Sequence, residues 1–132
     1  MKWLLDTNVC IDLIRRRPPS MLDRFRRHQV GEIGISVVTL AELEYGVSGS
    51  SRPAQNREAL DQFVSPLEVV PFDRPATTAY GRLRAALEKK GQTIGSMDML
   101  IAAHALSLEV RLVTHNSREF GRVPGLKTED WL

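Results

Sequence analysis

Acidic side chains stand beside short apolar segments at several widely separated points of the sequence. The first is Asp6, which directly follows the apolar run WLL near the start of the chain. A carboxylate at the end of a buried strand is costly unless a partner offsets its desolvation. The other candidates share this placement beside apolar segments: Glu42 in TLAELEYG, Asp98 in IGSMDMLIAAHA, and Asn116 and Glu119 in LVTHNSREF.

Each of these residues also has an ordinary structural interpretation. Glu42 is either directed inward or an exposed helix residue, whereas Glu44, about 200° further round a helix, is expected in solvent. Asp98 falls in the first turn of a predicted helix that Ser96 can cap, where the helix dipole stabilises a carboxylate. Asn116 begins an Asn-Ser pair, which favours a turn.

Taken together, the candidates predict one pocket at the carboxyl edge of a parallel sheet, where ligands bind in open α/β folds. Several carboxylates in one pocket repel one another, which raises some pKa values unless a cation lies between them. Oxygen ligands suit Mg²⁺ or Mn²⁺. Such an ion can lower the pKa of a bound water and hold a phosphate oxygen, so the pattern indicates metal-assisted hydrolysis of a phosphodiester.

Other chemistries lack their sequence signatures. No GxxxxGK[ST] occurs, and DTN at 6–8 lacks the second aspartate of a phosphatase-type DxD pair. The three histidines do not fall at zinc-ligand spacings, and Cys10 has no cysteine partner. His104 is interpreted as a helix-packing residue. Ser96 has no His/Asp relay.

Strand-like and helix-like segments alternate along the chain, which predicts a single α/β domain over 1–132. The predicted strands cover 2–5, 33–37, 67–72, 111–114 and a short segment near 126–128. The predicted helices cover 8–16, 21–28, 40–47, 54–64, 75–90 and 97–108. Thr39 is predicted to cap the third of these helices, and Gly91 to end the fifth. We expect a mostly parallel sheet of four to five strands with helices on both faces.

Composition and charge indicate where the protein acts and what kinds of partner it contacts. The chain has 132 residues, 42% of them hydrophobic, and a single cysteine, which suits a reducing cytoplasm. No secretory signal or membrane span is evident, so we expect a soluble cytoplasmic protein. The net charge is only +2, but residues 15–27 carry six arginines against one aspartate. That stretch is a phosphate-facing surface, a solvated face or a docking site for an acidic protein partner.

Four spaced motifs, in order, give the chain a family resemblance. LLDTNVCIDLI, SVVTLAELEYG, IGSMDMLIAAHA and LVTHNSREF resemble the PIN-domain ribonucleases, and more closely the VapC toxins of bacterial type II toxin–antitoxin pairs. The resemblance extends over nearly the whole chain, including the terminal GLKTEDW. It implies a compact α/β/α sandwich and Mg²⁺- or Mn²⁺-dependent endoribonuclease activity.

The resemblance also assigns roles to individual residues. The first aspartate of the family falls on Asp6, its helix glutamate on Glu42 and its second aspartate on Asp98. By the same comparison these three are the catalytic residues, with Asp6 and Asp98 as direct metal ligands and Glu42 acting through water or on the attacking water. The cut is expected to leave a 5′-phosphate and a 3′-hydroxyl.

Supporting roles follow from the same motifs. Thr114 is expected to orient water or a carboxylate through its hydroxyl, and Asn8 to give polar support beside the first aspartate. The family often has a further aspartate where this chain has Asn116, a departure that leaves open whether one or two metals bind. Glu119, one helical turn on, is a candidate substitute.

The resemblance also implies partners. VapC toxins commonly cut structured RNA, often tRNA in the anticodon loop, commonly dimerise, and are held inactive by a VapB antitoxin that reaches the acidic pocket. The arginines of the 15–27 stretch then contact either RNA or antitoxin: Arg15, Arg16, Arg17, Arg24, Arg26 and Arg27.

Two other functions remain open at this point. In one, catalysis has been lost and the protein acts with its antitoxin as a DNA-bound repressor, an alternative that Asn116 keeps open. In the other, the chain is a metal-dependent DNA nuclease or phosphatase. Cleavage of RNA by antitoxin-free protein in the presence of Mg²⁺ separates the first of these from the enzyme.

Overall fold

A computed structural model of the chain describes residues 1–29 and 31–132. Its centre is a sheet of five parallel strands in the order β3-β2-β1-β4-β5. The strands are β1 (Trp3–Leu5), β2 (Ile33–Ser36), β3 (Glu68–Val70), β4 (Arg111–Val113) and β5 (Thr128–Glu129). The all-parallel sheet confirms the predicted fold class. The first four predicted strands are present in shorter form, and the fifth lies slightly further along the chain than the predicted 126–128.

Within the described residues, seven helices connect and flank these strands. They are α1 (Thr7–Arg15), α2 (Pro19–Arg26), α3 (Val37–Ser48), α4 (Pro53–Val64), α5 (Arg74–Lys90), α6 (Ser96–Leu108) and α7 (Ser117–Phe120). Gly91 ends α5 in the left-handed conformation (φ 64°), as its position predicts, because glycine adopts that conformation without a Cβ clash. No helix of the described part of the chain is long and apolar enough to cross a membrane.

Two hydrophobic cores lie on opposite faces of the sheet. Successive strand residues point to opposite faces, so Leu4 packs with residues of α5 and α6, whereas Leu5 packs with residues of α1 to α4. Both leucines are fully buried, and β1 lies between β2 and β4 in the middle of the sheet. The domain is therefore a three-layer α/β/α sandwich, and Asp6 leaves its central strand.

The start of α3 differs from the prediction. Val37 was expected to end a strand and Thr39 to cap a helix over 40–47, but α3 begins at Val37 and Ser36 is its N-cap. The Ser36 hydroxyl accepts a hydrogen bond from the Val38 N–H at 3.0 Å. Thr39 is wholly buried inside the helix, where its hydroxyl has another partner. The β-branched residues 37–39 favour a strand locally, but this cap and the burial of Thr39 place them in a helix.

The N-termini of α6 and α7 also differ from expectation. Gly95, not Ser96, is the N-cap residue of α6, and no side chain caps that helix. Asp98 nevertheless lies in its first turn, as predicted. The turn expected at Asn116 is the start of the short helix α7, and the Asn116 side chain accepts a hydrogen bond from the Glu119 N–H.

Candidate active site

Asp6 is a buried carboxylate at the end of the central strand, with 2% of its surface exposed. The Thr114 hydroxyl donates a hydrogen bond to Oδ2 at 2.8 Å, across from the end of β4. The other oxygen, Oδ1, is buried without a hydrogen-bond partner among the described residues. Asp6 precedes α1, but its side chain makes no capping hydrogen bond to that helix. Capping therefore does not explain its burial.

The pKa of Asp6 reflects this environment. Burial raises the pKa, whereas the Thr114 hydroxyl and the Thr7 backbone lower it through hydrogen bonds. The negative charges of Glu42 and Glu119 raise it further. The net shift is upward, so the charged form of Asp6 lacks a compensating positive partner.

Glu42 reaches the same place from α3. The Thr7 hydroxyl donates a hydrogen bond to its Oε1 at 2.7 Å. The Thr7 and Thr39 hydroxyl oxygens are 3.2 Å apart, and because Thr7 has given its only proton to Glu42, Thr39 is the donor to Thr7. Two buried hydroxyls in series thus hold the inward-facing carboxylate that the sequence predicts. Glu44, in contrast, forms a surface ion pair with Arg57.

Asp98 and Glu119 form the other side of the site. A Cβ built on Gly95 would lie 3.5 Å from Asp98 Oδ2 and 3.7 Å from Glu119 Oε1, so both carboxylates lie against this glycine. The Gly95 N–H donates a hydrogen bond to Glu119 Oε1 at 2.8 Å, and Asn116 Nδ2 donates to Oε2 at 2.7 Å. Backbone and side-chain donors therefore fix Glu119 next to Asp98.

Repulsion among the four carboxylates is strongest at Asp98. Partial burial, the hydrogen bond with Glu119 and the charge of Glu119 raise the pKa of Asp98 to about 7. The charges of Asp6 and Glu42 raise it further. One aspartate that holds its proton near neutral pH is the expected result when acidic groups share a pocket without a cation.

The side chains of the site and their hydrogen bonds indicate whether a metal ion fits there. All the candidate ligands are oxygens, and Asp6 Oδ1 is a buried oxygen that lacks a partner. Among the residues the structure describes, no three His, Cys, Asp or Glu side chains are arranged to hold one ion. Thr7 holds Glu42, while Gly95 and Asn116 hold Glu119. The residues fit an ion that takes one or two direct carboxylates and keeps several waters, as Mg²⁺ does.

Of the two residues predicted to support the site, Thr114 contacts it and Asn8 does not. Thr114 contacts Asp6 and also accepts a hydrogen bond from the Asn116 N–H at 3.0 Å, which ties α7 to the site. Asn8 is exposed, and within 1–29 and 31–132 its side chain makes no hydrogen bond. The neighbouring Thr7 is the residue that sequence reasoning missed. Its only signal was its place between Asp6 and Asn8.

The arginines of the 15–27 stretch divide into two sets. Arg16, Arg24 and Arg27 form ion pairs with Asp12, Glu129 and Asp23 respectively. Arg15, Arg17 and Arg26 have no ion pair within the part of the chain that is described. Arg15 lines a groove between α1, α3 and α4 that also contains Glu42. Arg17 and Arg26 line a neighbouring groove formed with apolar residues of α1, α2 and α4.

Comparisons with known proteins define the class to which this fold and site belong. The PIN domain family model matches residues 3–126. The tRNA(fMet)-specific endonuclease VapC of Shigella flexneri is 45% identical over 131 residues, covering 99% of this chain and 98% of the relative. Ribonuclease VapC2 of Rickettsia felis is 44% identical over 132 residues, with the same coverage. The chain belongs to the VapC family of PIN-domain ribonucleases.

Solved structures agree with this assignment. DNA-bound VapBC from Salmonella typhimurium matches with a TM-score of 0.97 at 41% identity, covering 100% of this chain and 99% of that chain. VapBC2 from Rickettsia felis, bound to a DNA fragment from its promoter, matches with a TM-score of 0.94 at 41% identity and covers all of both chains. The resemblance inferred from the four motifs is thereby confirmed.

Proposed function

We propose that the chain is a metal-dependent endoribonuclease, the toxin of a type II toxin–antitoxin pair, which hydrolyses phosphodiester bonds in tRNA. The observation that carries this proposal is the convergence of Asp6, Glu42, Asp98 and Glu119 at one sheet edge, with the pKa of Asp98 raised to about 7. Burial is the largest cause of this shift and the neighbouring carboxylates add to it, and a divalent cation in the pocket would remove their repulsion.

The metal of the proposal is Mg²⁺, with Mn²⁺ as a substitute. Asp6 and Asp98 would hold it directly, and Glu42 would act through water. When bound, such an ion supplies charge stabilisation at the scissile phosphate and makes the attacking water more acidic. The uncommitted Asp6 Oδ1 supports this role, because a buried carboxylate oxygen without a donor is costly.

The residues of the chain supply orientation and proton transfer. Thr114 fixes Asp6 through Oδ2, which leaves Oδ1 directed to a ligand. Thr7 occupies Glu42 Oε1, which leaves Oε2 to accept a proton from the attacking water. The family often has an aspartate at the position that Asn116 occupies here. Because Glu119 lies beside Asp98, we assign the fourth acidic position to Glu119 instead. Asn116 is then the residue that holds Glu119 rather than a ligand.

The names of the relatives support tRNA as the substrate. The VapC proteins of Shigella flexneri and Salmonella typhimurium are both named tRNA(fMet)-specific endonucleases, at 45% and 41% identity. We place the cut in the anticodon loop and expect 5′-phosphate and 3′-hydroxyl ends. The alternative of a non-catalytic co-repressor is not favoured, because Glu119 restores the acidic group that Asn116 lacks.

A VapB-type antitoxin is the proposed protein partner. The matching Salmonella and Rickettsia structures are VapBC complexes bound to DNA. We further propose a homodimer within a toxin–antitoxin assembly, acting in the cytoplasm. Arg15, Arg17 and Arg26 lack ion pairs among the residues described and are the arginines of the basic stretch that remain available to RNA or antitoxin.

Incubation of antitoxin-free protein with total bacterial tRNA tests the proposal. Reactions contain Mg²⁺ or EDTA, and an Asp6→Asn variant is run in parallel, with circular dichroism to show that it folds. We expect discrete fragments that require both Mg²⁺ and Asp6, and end mapping then gives the cut site. Cleavage that persists in Asp6→Asn or in EDTA would refute the assignment. Ribosomal RNA, mRNA and single-stranded DNA serve as comparison substrates.

A further inference from the structure

A buried polar pair joins the end of β2 to the middle of α6. Ser36 and His104 are both completely buried, and His104 Nδ1 lies 2.7 Å from the Ser36 Oγ. Neither residue contacts the four carboxylates through a hydrogen bond. The pair is thus a hydrogen-bonded contact between polar groups in the core that the proposed chemistry does not use.

The donors and acceptors available to Ser36 and His104 determine which of the two donates this hydrogen bond. Ser36 Oγ already accepts from the Val38 N–H, and Ser36 has one proton to give. If Ser36 donates to Nδ1, only the Nε2–H of His104 lacks a partner among the described residues. If Nδ1 donates instead, both Nε2 and the serine proton lack one. Fewer buried unpaired groups cost less free energy, so Ser36 is the donor.

Neutral imidazole fits this arrangement. Burial lowers the pKa of His104, although the charge of Asp73 and the backbone at Pro71 act in the opposite direction. Phe72 packs edge-on against the imidazole, with ring centroids 5.1 Å apart. Capping of α3 needs only Ser36 and Val38. The contact of the Ser36 hydroxyl with His104 is therefore additional to the cap.

The pair connects α3 and α6, two of the three helices of the described chain that carry acidic residues of the site. Ser36 caps α3 six residues before Glu42, and His104 lies six residues after Asp98 on α6. Six residues of helix correspond to about 9 Å along each axis. The two helices also contact one another directly. A shift of α3 against α6 would therefore change the separation of Glu42 from Asp98.

We infer that the Ser36–His104 hydrogen bond is a positioning element that fixes α3 against α6 and so sets the spacing of Glu42 and Asp98 for the metal and the attacking water. The inference rests on the proposed function. Neither residue touches substrate, so both act through the carboxylates. Their loss should alter turnover and metal affinity and leave binding of RNA outside the pocket unchanged.

The test uses purified Ser36→Ala, His104→Leu, the double variant and Ser36→Thr. Turnover and KM are measured with tRNA and Mg²⁺ well below the melting temperature, and Mn²⁺ affinity is measured separately by calorimetry without RNA. We expect each single loss to lower kcat and Mn²⁺ affinity roughly 10- to 100-fold, the range typical of residues that orient metal ligands. KM should stay unchanged, and Ser36→Thr, which keeps the hydroxyl, should retain activity.

Two controls separate positioning from loss of stability. Met21→Ala removes a buried side chain of α2 in the opposite core and should lower the melting temperature without changing kcat or Mn²⁺ affinity. Ser36→Ala removes both the hydrogen bond to His104 and the cap from the Val38 N–H, so adding His104→Leu to it should cause little further loss of kcat or Mn²⁺ affinity. If His104→Leu does not fold, Ser36→Gly decides the question, because glycine removes the hydroxyl that contacts His104 and is itself a favoured N-cap residue.

The outcomes distinguish the inference from the function on which it rests. Unchanged kcat and Mn²⁺ affinity in Ser36→Ala, additive losses in the double variant, or equal losses in Met21→Ala would overturn the positioning role. Wild-type protein that binds Mn²⁺ but cuts no RNA would refute the proposed function, and the Mn²⁺ affinities would still decide the positioning role. Wild-type protein that does not bind Mn²⁺ would overturn both.

Discussion

At the scale of single residues, neutral donors hold the acidic groups of this site in place. Thr114 contacts Asp6, Thr7 contacts Glu42, and Asn116 with the Gly95 backbone contacts Glu119. A hydroxyl or amide orients a carboxylate without cancelling its charge, unlike a lysine or arginine. The repulsion among the carboxylates therefore remains for a cation to relieve, and it contributes to the raised pKa of Asp98.

Thr7→Val should impair catalysis while the fold persists. Valine has nearly the shape of threonine but no hydroxyl, so Glu42 loses the donor to Oε1. Hydrogen bonds to charged groups contribute about 1.5–3 kcal/mol, so we expect kcat to fall roughly tenfold or more. Single-turnover cleavage of tRNA measures the effect. Thr7→Ser keeps the hydroxyl and should keep most of the activity, and equal activity in Thr7→Val would show that Glu42 needs no such support.

The raised pKa of Asp98 predicts how stability depends on pH in metal-free protein. A folded-state pKa of about 7, above the ordinary 3.8, means that the folded protein binds more protons between these values. The stabilisation is complete below about pH 4 and is lost as pH rises through 7. The upward shift of Asp6 acts in the same direction.

Thermal unfolding in EDTA from pH 5 to 8 measures this dependence. The melting temperature should fall towards pH 8, and less steeply in Asp98→Asn. Added Mg²⁺ should raise the wild-type melting temperature more at pH 8 than at pH 5.5, because fewer protons then compete for the carboxylates. A wild-type profile that matches Asp98→Asn in EDTA would show that repulsion at this carboxylate is small.

Sequence reasoning predicted the acidic residues and a carboxylate-orienting hydroxyl at Thr114, but not the supports of Glu42 and Glu119. Asp6 and Asp98 could be predicted because each directly follows a recognisable boundary between elements. Thr7 and Gly95 could not, since their partners Glu42 and Glu119 lie 35 and 24 residues away along the chain. Such contacts are set by how helices pack on the sheet, which no local pattern shows.

At the scale of elements, the short helix α7 depends on its cap. Asn116 accepts from the Glu119 N–H and donates to its carboxylate, so one side chain both begins the helix and fixes a residue of the site. The sequence predicted a polar turn here because Asn-Ser pairs favour turns. The start of α3 was mispredicted because the β-branched residues 37–39 favour a strand locally, whereas the cap at Ser36 and the burial of Thr39 place them in a helix.

Asn116→Ala should therefore lower both stability and activity. Loss of the cap costs about 1 kcal/mol, and Glu119 loses one of its two donors. Chemical denaturation and tRNA cleavage measure the two effects. Asn116→Asp is the matched control, because its carboxylate can still accept from the Glu119 N–H but cannot donate to the Glu119 side chain. Stability should then be largely retained at α7 while Glu119 is repelled. Because an aspartate at 116 can itself supply the acidic group, Asn116→Ala decides the effect on activity, and full activity in that variant would argue against a role for Asn116 in holding Glu119.

At the scale of the whole molecule, the carboxylate of Glu129 connects the C-terminal part of the chain to its first strand. Glu129 in β5 accepts from the Trp3 and Trp131 indoles and forms ion pairs with Arg24 and Arg111. These donors come from α2, β1, β4 and the C-terminal residues. The C-terminal strand is thereby tied to the first strand, although neither the residue nor its partners form a motif in the sequence.

Glu129→Gln should destabilise the domain, by an amount that depends on pH. Burial raises the pKa of Glu129, but hydrogen bonds from Arg111, Trp3 and Trp131 outweigh it and lower the value to about 2. The charged form thus stabilises the fold fully above about pH 4.5, and that contribution is lost as pH falls through 2. Glutamine presents one acceptor where glutamate has two, which should cost about 1–3 kcal/mol at neutral pH.

Urea denaturation of both proteins at pH 7 and pH 3 measures this difference. The gap in unfolding free energy between wild type and Glu129→Gln should be large at pH 7 and smaller at pH 3, where the wild type has begun to lose its advantage. Glu109→Gln, a change at an exposed residue that forms no ion pair in the described chain, is the control and should show no such pH dependence. A gap that stays constant between the two pH values would mean that shape and hydrogen bonding, not charge, make Glu129 stabilising.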